Sequence, residues 1–382
     1  MAPGNDVEVV VIGGGVVGCA VALALARRGA SVALLEAEPE LALGASGTNS
    51  GILHTGFDSA GGELETELIL ASGAIREPVL RALAIPVLNC GAIMRPLDAS
   101  QRAAIAAIAA RARRNGVSVV DRDDGALEIP AEAVTDPVAY TLALAAEAER
   151  HGAELHMRSR VDSIRVEPAA LSLGCDSDAN VRCRVAVNCA GLEADSIARL
   201  VGDETFSVYP RKGEFLVFDP PGGEPLERIL LPVPSERTKG VLVFPTVDGK
   251  VVAGPTAVDR EDKRDWSVRA AARDEIVAKG AALYSPLADA KPVFAYAGLR
   301  PAGRGVNYVI GPAPTCPRLI HVAAIRSTGL SASLGIAEHV TQIVGSVGVA
   351  LGPSDALRGG PSPAGDGPWW RRTAAYRAEV TL

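Results

Sequence analysis

Apolar and polar positions change period several times along the chain, and the first changes mark a βαβ unit. Val7 to Ile12 is a short β-branched apolar run, which predicts a buried parallel strand, and Gly13-Gly14-Gly15 breaks it. Val16 to Arg28 has helical spacing, Gly29 ends it, and Ser31 to Leu35 predicts the second strand. Leu41 to Gly62 is a loop rich in Gly, Ser, Thr and Asn. Glu63 to Leu83 predicts a helix, Val87 to Pro96 a strand, and Ser100 to Asn115 an amphipathic helix. That last helix carries Arg111, Arg113 and Arg114 near its end, where cations complement the helix dipole. Asp136 to His151 predicts a helix opened by Asp-Pro. Val161 to Val166 and Leu171 to Cys175 predict paired strands, and Val185 to Cys189 a short buried strand before Ala190-Gly191. Phe206 to Asp219, Ile229 to Pro232, Gly240 to Pro245 and Lys250 to Gly254 alternate or run apolar between turn signals, as in a mixed or antiparallel sheet. Arg269 to Tyr284 predicts a helix, Leu319 to Ala323 a strand, and Ser333 to Val347 a helix. Residues 353 to 368 are Gly/Pro/Ser-rich and predict a flexible segment before Trp369-Trp370-Arg371-Arg372.

Composition narrows the class. A chain of 382 residues exceeds what one core supports, which is about 250–300 residues, so two interleaved domains are expected. Hydrophobic residues at 48% and charged residues at 22% suit a globular enzyme with a full core. Aromatics at 4%, a net charge of −7 and the lack of a long basic run argue against a nucleic-acid partner. They still allow a small anionic substrate in a locally positive pocket. Six cysteines without a CxxC pair predict reduced thiols rather than a disulfide frame, an iron–sulfur centre or another metal site. The N-terminus has no signal-peptide layout and no apolar stretch reaches membrane-spanning length, so a cytoplasmic location is expected. The Trp-Trp-Arg-Arg stretch could touch a membrane surface or a partner subunit, although docking on its own domain is the plainer reading. Oligomeric state is left open.

The first chemical signal is Gly13-x-Gly15-x-x-Gly18 between the first strand and the first helix. Gly13 permits the tight turn, Gly15 lets backbone approach a pyrophosphate, and Gly18 lets helix and strand pack closely. The helix N-terminus, with its partial positive charge, then faces the phosphates. Glu36, 18 residues past Gly18, ends the second strand, where a carboxylate accepts hydrogen bonds from ribose hydroxyls. Both NAD and FAD are held this way, so these forty residues do not choose between them.

Later stretches do. Ala45-Ser-Gly-Thr-Asn-Ser-Gly-Ile-Leu-His-Thr-Gly56 resembles the loop of D-amino-acid-oxidase-like flavoproteins, most of all FAD-dependent glycerol-3-phosphate dehydrogenases and L-2-hydroxyglutarate oxidases. Val185 to Asp195 is similar to the strand-plus-Ala-Gly segment on the adenosine side. Gly240 to Asp265, with Pro245-Thr246 and Gly254-Pro-Thr-Ala257, looks like the glycerol-3-phosphate dehydrogenase branch. Ala297-Gly-Leu-Arg-Pro301 and Arg326-Ser-Thr-Gly-Leu330 resemble the C-terminal cofactor and substrate motifs. Two features depart from the relatives: Thr48 stands where hydroxyglutarate oxidases tend to carry Arg, and the cysteine-rich extension of some glycerol-3-phosphate dehydrogenases is not seen.

The resemblance implies an α/β fold with a Rossmann-like FAD domain from discontinuous segments (1–85, 140–205 and 290–352). It pairs this with an α+β substrate domain (86–139 and 206–289) holding a mixed or antiparallel sheet, and leaves 353–382 as a flexible tail. Expected FAD contacts on the nucleotide side are Gly13, Gly15, Val16, Val17, Gly18, Glu36, Ala37, Val161, Ala190 and Gly191. Toward the flavin they are Ser46, Thr48, Asn49, Ser50, Gly51, Arg326, Gly329, Leu330 and Ser331. The implied reaction removes a hydride from a carbon bearing a hydroxyl, or less readily an amine, of a small anionic substrate. Oxygen, a quinone or a partner protein would take up the electrons.

His54 is the candidate base, because a neutral imidazole accepts a proton near neutral pH and its loop is the one expected beside the flavin. A structural histidine or a covalent flavin attachment point are the alternatives; His151, His156, His321 and His339 lie in helix ends or strands without such a context. Arg300 and Arg326 are candidates to hold a carboxylate or phosphate through bidentate hydrogen bonds. Related amino-acid oxidases grip a carboxylate with the Arg that Arg300 matches. Of Arg211 and Lys212 at the start of a substrate-domain strand, Lys212 is taken as the further anion contact.

Overall fold

The computed structural model describes residues 6–177, 180–234, 240–361 and 367–380. Its eight-stranded first sheet is built on Asp6–Ile12, which runs parallel to Val32–Leu35 on one side and to Asn180–Asn188 on the other. Glu154–His156 extends the first side and Cys316–Ala323 lies parallel to the end of Asn180–Asn188. The Val161–Val166 and Leu171–Cys175 hairpin continues antiparallel, and Val309–Ala313 pairs back on Cys316–Ala323. Against this sheet packs α1 (Val16–Ala26), of which only Val17 is not buried. An all-apolar helix suits that position, since no face of it meets water.

Seven more α-helices follow among the described residues: α2 (Leu64–Ala82), α3 (Ala99–Arg114), α4 (Pro137–Arg150), α5 (Ala194–Arg199), α6 (Ala270–Leu283), α7 (Gly329–Ser346) and α8 (Trp369–Val380). Asp98 and Asp136 cap α3 and α4, each accepting from two backbone N–H groups of the first turn, and Pro137 opens α4. α1 packs between α4 and α7, and α7 also lies along α2.

The second sheet has nine strands, in which Val208–Phe218 pairs antiparallel with Phe294–Gly303 along nearly its whole length. Val251–Gly254, Leu242–Pro245, Ile229–Leu231, Ala92–Met94, Leu127–Ile129 and Val120–Asp121 continue the order, and Val258–Asp259 closes the other edge. α6 covers one face through Ala272 and Ile276, while α3 and α8 bury Ile105, Ile108, Trp369 and Trp370 against the other. A three-stranded sheet of Ile52–Leu53, Ala133–Thr135 and Val87–Leu88 lies between the two. The expected α/β fold with a mixed substrate sheet is therefore present.

Several expectations need correction. Phe294–Gly303 belongs to the substrate sheet, so the last segment of the first domain starts after it and not at 290. Val87 to Pro96 is two short strands in different sheets, because Gly91, at φ +65°, turns the chain between them. α7 begins at Gly329, one turn before Ser333. The C-terminal tail is not flexible where it is described: Trp369 and Trp370 are 2% and 6% exposed. Residues 353–361 have no regular elements but are fastened by Arg27 Nε on the Asp355 carbonyl (2.7 Å) and by the Arg358 N–H on Glu147 Oε1 (2.5 Å). Residues 362–366 of the Gly/Pro/Ser-rich segment lie outside the described residues. Among those described, no helix is long and apolar enough to cross a membrane.

A Cβ on Gly335 of α7 would stand 2.2 Å from the Leu68 carbonyl oxygen of α2. Gly335→Ala should therefore force the helices apart and lower stability by about 1–3 kcal/mol. Gly345→Ala, at an open position of the same helix, should raise it by about 0.5–1 kcal/mol. Urea midpoints of the two variants check this, and equal effects would refute it.

Candidate active site

One cavity of about 1290 Å³ runs from the carboxyl ends of the first sheet to the face of the second. At its nucleotide end Gly13, Gly15, Val16 and Val17 line the wall. Gly13 is held at φ +108°, and a Cβ there would lie 2.6 Å from the Cys189 carbonyl oxygen. A Cβ on Gly18 would lie 1.9 Å from the Gly13 carbonyl oxygen, so Gly18 allows close packing and, against the expectation of a contact, does not line the cavity. Ser46 Oγ accepts the Val16 N–H at 2.9 Å, joining the helix N-terminus to the polar loop. Glu36 lines the wall, with one carboxylate oxygen accepting the Gly14 N–H (2.6 Å) and the other the Glu38 N–H (2.8 Å). Burial raises the Glu36 pKa above the ordinary carboxylate value, against the pull of these two N–H groups. Ala37, Val161, Ala190 and Gly191 complete this end.

The polar loop supplies the middle of the cavity. Ser46, Thr48, Asn49 and Ser50 all line it. Asn49 fixes the loop's shape: its Nδ2 donates to the Ser46 carbonyl (2.7 Å) and its Oδ1 accepts the Gly51 N–H (2.6 Å). Gly51 itself lies off the cavity. It stands at φ +70°, where a Cβ would meet the Thr135 carbonyl oxygen at 2.4 Å, so its role is to seat the loop on the small sheet. Ser331 is also off the wall, because its hydroxyl accepts the His54 N–H (2.8 Å) and donates to the Ile52 carbonyl (3.3 Å). Arg76, buried on α2, donates to the carbonyls of Ser331 (2.8 Å) and His54 (3.2 Å). Gly329 and Leu330, in the first turn of α7, remain on the lining.

His54 lines the cavity with its ring held from behind. Nδ1 lies 2.9 Å from Oε2 of Glu132, whose side chain is wholly buried. Glu132 Oε1 accepts both the N–H (2.6 Å) and the hydroxyl (2.9 Å) of Thr55. A carboxylate so placed acts as an acceptor, so Nδ1 carries the proton and Nε2 is the basic nitrogen. Among the described residues Nε2 has no partner. Neither Glu132 nor Arg76 was singled out from the sequence. Glu132 sits 78 residues from His54 in a Pro-Ala-Glu-Ala stretch without a motif, and only the pairing of Ile52–Leu53 with Ala133–Thr135 brings the two together.

Cations line the far wall. Arg300 and Arg211 stand opposite each other on the paired central strands and both face the cavity. Arg300 Nε donates to the Arg211 carbonyl (3.0 Å), and Nη2 donates to those of Thr256 (2.9 Å) and Lys212 (3.3 Å). Nη1 has no acceptor among the described residues. Burial, reinforced by Arg211, lowers the Arg300 pKa to about 10, so it stays charged at neutral pH. Lys212 is not in this wall. Alternation along the strand turns it to the opposite face, where Nζ pairs with Asp265 (2.8 Å) and contacts Ser267 Oγ (3.2 Å) with no exposure. Lys212 is thus out of reach of an anion in the cavity, contrary to expectation, and its neighbour Arg211, which does face the cavity, has its guanidinium engaged by Asp259 at 2.6 and 3.0 Å. Arg326 is half-exposed on the lining, 3.9 Å from Glu65.

The cavity fits FAD. A Cβ at Gly13 would collide with the Cys189 carbonyl and one at Gly15 would crowd the Ser46 hydroxyl, so the turn must stay bare; the α1 N-terminus opens on the cavity, whose lining runs from the first sheet to the second. Comparison with known proteins agrees. Residues 8–343 match the model of the FAD dependent oxidoreductase family. The chain belongs to that family and is an FAD-dependent oxidoreductase. It is 27% identical to a glycerol 3-phosphate dehydrogenase of Caloramator mitchellensis over 89% of this chain and 74% of that one. It is also 27% identical to the mitochondrial L-2-hydroxyglutarate dehydrogenase of Mus musculus, over 70% of this chain and 65% of that one. Its fold is similar to that of the FAD-bound L-α-glycerophosphate oxidase of Mycoplasma pneumoniae, with a TM-score of 0.86 and 22% identity over 94% of this chain and 99% of that one.

Gly13→Ala should weaken FAD binding by at least about 100-fold, since a methyl group against the Cys189 carbonyl adds overlap to a disfavoured φ. Titration of the apoprotein by flavin fluorescence measures this, and an unchanged affinity would contradict the cradle.

Proposed function

We propose that the protein oxidises the secondary alcohol of a small polyol phosphate of the glycerol 3-phosphate type. The observation that carries this reading is the His54–Glu132 pair facing a wall of arginines across the FAD cavity. Bound FAD supplies the two-electron acceptor. His54 Nε2 takes the hydroxyl proton as the carbon gives up its hydride and becomes a carbonyl. Glu132 keeps the proton on Nδ1 and balances the imidazolium that forms, with no water needed behind the ring. Arg300 and Arg326 hold the anionic end, and two guanidinium charges suit a phosphate dianion.

The relatives support the same class, since they are glycerol 3-phosphate enzymes and a 2-hydroxy-acid enzyme. Thr48, in place of a further arginine, favours the phosphate over a dicarboxylate. The electrons leave to oxygen, a quinone or a protein acceptor.

Anaerobic stopped-flow mixing with glycerol 3-phosphate, L-2-hydroxyglutarate and amino acids tests the proposal. Glycerol 3-phosphate should bleach the flavin fastest. His54→Ala should slow this step by about 10²–10⁴-fold with FAD still bound, and Glu132→Gln by about 10–100-fold. Reduction by amino acids or L-2-hydroxyglutarate alone, or an unaffected His54→Ala protein, would refute it.

A further inference from the structure

The matched family model ends at residue 343, and the helix beyond it, α8, is the part of the chain with no assigned role. Its N-terminal end is anchored in the substrate domain. The Trp369 ring meets the edge of Tyr296 at 5.9 Å, Trp370 packs on Phe294 at 5.4 Å, and Trp370 Nε1 donates to Asp248 at 2.9 Å.

The rest of the helix presents one face, Arg372, Thr373, Tyr376 and Arg377, to a loop of the FAD domain. Three consecutive carbonyls of that loop accept from it: Leu41 from Arg372 Nη1 (3.1 Å), Ala42 from Thr373 Oγ1 (3.1 Å) and Leu43 from Arg377 Nε (2.7 Å). Glu38 accepts from Tyr376 OH (2.7 Å) and Arg377 Nη1 (3.0 Å), and Arg372 pairs with Glu40. Spacing by one and four residues keeps all four side chains on one helical face.

That loop is the nucleotide wall of the cavity. Glu38, Ala42, Leu43 and Gly44 line it, and the Glu38 N–H is bound by Glu36, the carboxylate at the end of the second strand. Arg377 lines the same wall and stacks on Trp266 of the substrate domain at 5.0 Å. The fit is close: a Cβ on Gly47 would meet Thr373 Oγ1 at 2.1 Å. Without α8, the Leu41, Ala42 and Leu43 carbonyls and the Glu40 carboxylate would lose these partners, and Glu38 would keep the longer pairing with Arg160 at 3.9 Å.

We propose that α8 is a component of the FAD site, a latch that holds the 38–43 loop against the adenosine half of the cofactor with Arg377 contributing to the wall. Nothing in this depends on which substrate is oxidised. The latch stabilises bound cofactor by keeping the wall closed, so its loss speeds release of FAD more than it disturbs the flavin end.

The test uses the full-length apoprotein and two altered forms: an Arg377→Ala, Thr373→Val double variant, which keeps the Trp369–Trp370 anchor, and a chain ending at residue 361. FAD and ADP are titrated separately. Loss of two charge-assisted hydrogen bonds (Arg377 to Leu43 and Glu38) and one neutral one (Thr373 to Ala42) should raise both dissociation constants about tenfold or more in the double variant, and further in the shortened chain. The thermal midpoint of the double variant's apoprotein should stay close to the parent's. FAD affinity within twofold of the parent in the double variant would overturn the proposal, and so would weaker FAD binding with ADP binding unchanged, because the effect would then not lie on the adenosine half. If the shortened chain does not fold, the double variant decides alone.

Discussion

The cofactor end of this molecule depends on one backbone approach. Gly18 lets α1 come so near the first strand that any side chain there would overlap the Gly13 carbonyl, and Gly13 in turn lies against the carbonyl of Cys189. Two neighbouring segments, the end of the first strand and the start of α1, thus meet a third from far along the chain, the end of Asn180–Asn188, at carbonyl contact distance. The α1 N-terminus opens on the cavity because of this packing, with Ser46 rather than a capping side chain of its own on the Val16 N–H. An N-terminus left without a local cap has N–H groups to offer an anion. Larger residues at these glycines would move the helix and remove the site together.

A second constraint ties the domains. Gly298, on the strand that carries Arg300, lies so close to the polar loop that a Cβ would stand 2.3 Å from the Thr48 carbonyl oxygen. Two residues away, Tyr296 OH donates to the Asn49 carbonyl at 3.0 Å. The strand bearing the buried arginine is therefore in fixed register with the loop bearing His54. On the other side of that loop, Arg76 and Ser331 bind the His54 backbone to α2 and α7. The His54 backbone is held by α2 and α7, and its loop by the arginine-bearing strand, before Glu132 orients the ring; on the proposed reading this is the preorganisation that proton transfer needs.

How much of this could be read in the sequence follows the range of each interaction. The βαβ unit, the glycine cradle and the polar loop are local patterns, and their periods and breaks are visible within forty residues. Phe294–Gly303 carries a legible motif, but the composition of the segment did not reveal it as a strand of the substrate sheet, since glycine, proline and arginine interrupt its apolar positions. Glu132 was invisible because its meaning comes only from strand pairing with the His54 loop. Lys212 was misread for a simpler reason. Neighbours on a strand point to opposite faces, and choosing between Arg211 and Lys212 needed the register, which their shared position at a strand start does not supply. The tail was misjudged because its glycines and prolines end just before a helix with two buried tryptophans.

The arginines of the cavity divide by what their donors already hold. Arg300 is fixed by three carbonyls of its own sheet, and although burial lowers its pKa to about 10 it remains a cation at neutral pH. Such a group cannot swing toward a ligand; it supplies a constant positive field, with Nη1 as the donor left for hydrogen bonding. Arg326 is half-exposed and only loosely paired with Glu65 at 3.9 Å, so it can reorient when an anion arrives. Glu65 is itself held by Thr328 (2.7 Å) and Asn307 (2.6 Å) and cannot follow. On the proposed reading, the immobile arginine selects charge and the mobile one closes on the phosphate. An acidic chain of net charge −7 can bind a dianion this way because these few cations face a cavity walled by low-dielectric protein, where their field is screened less than at the surface.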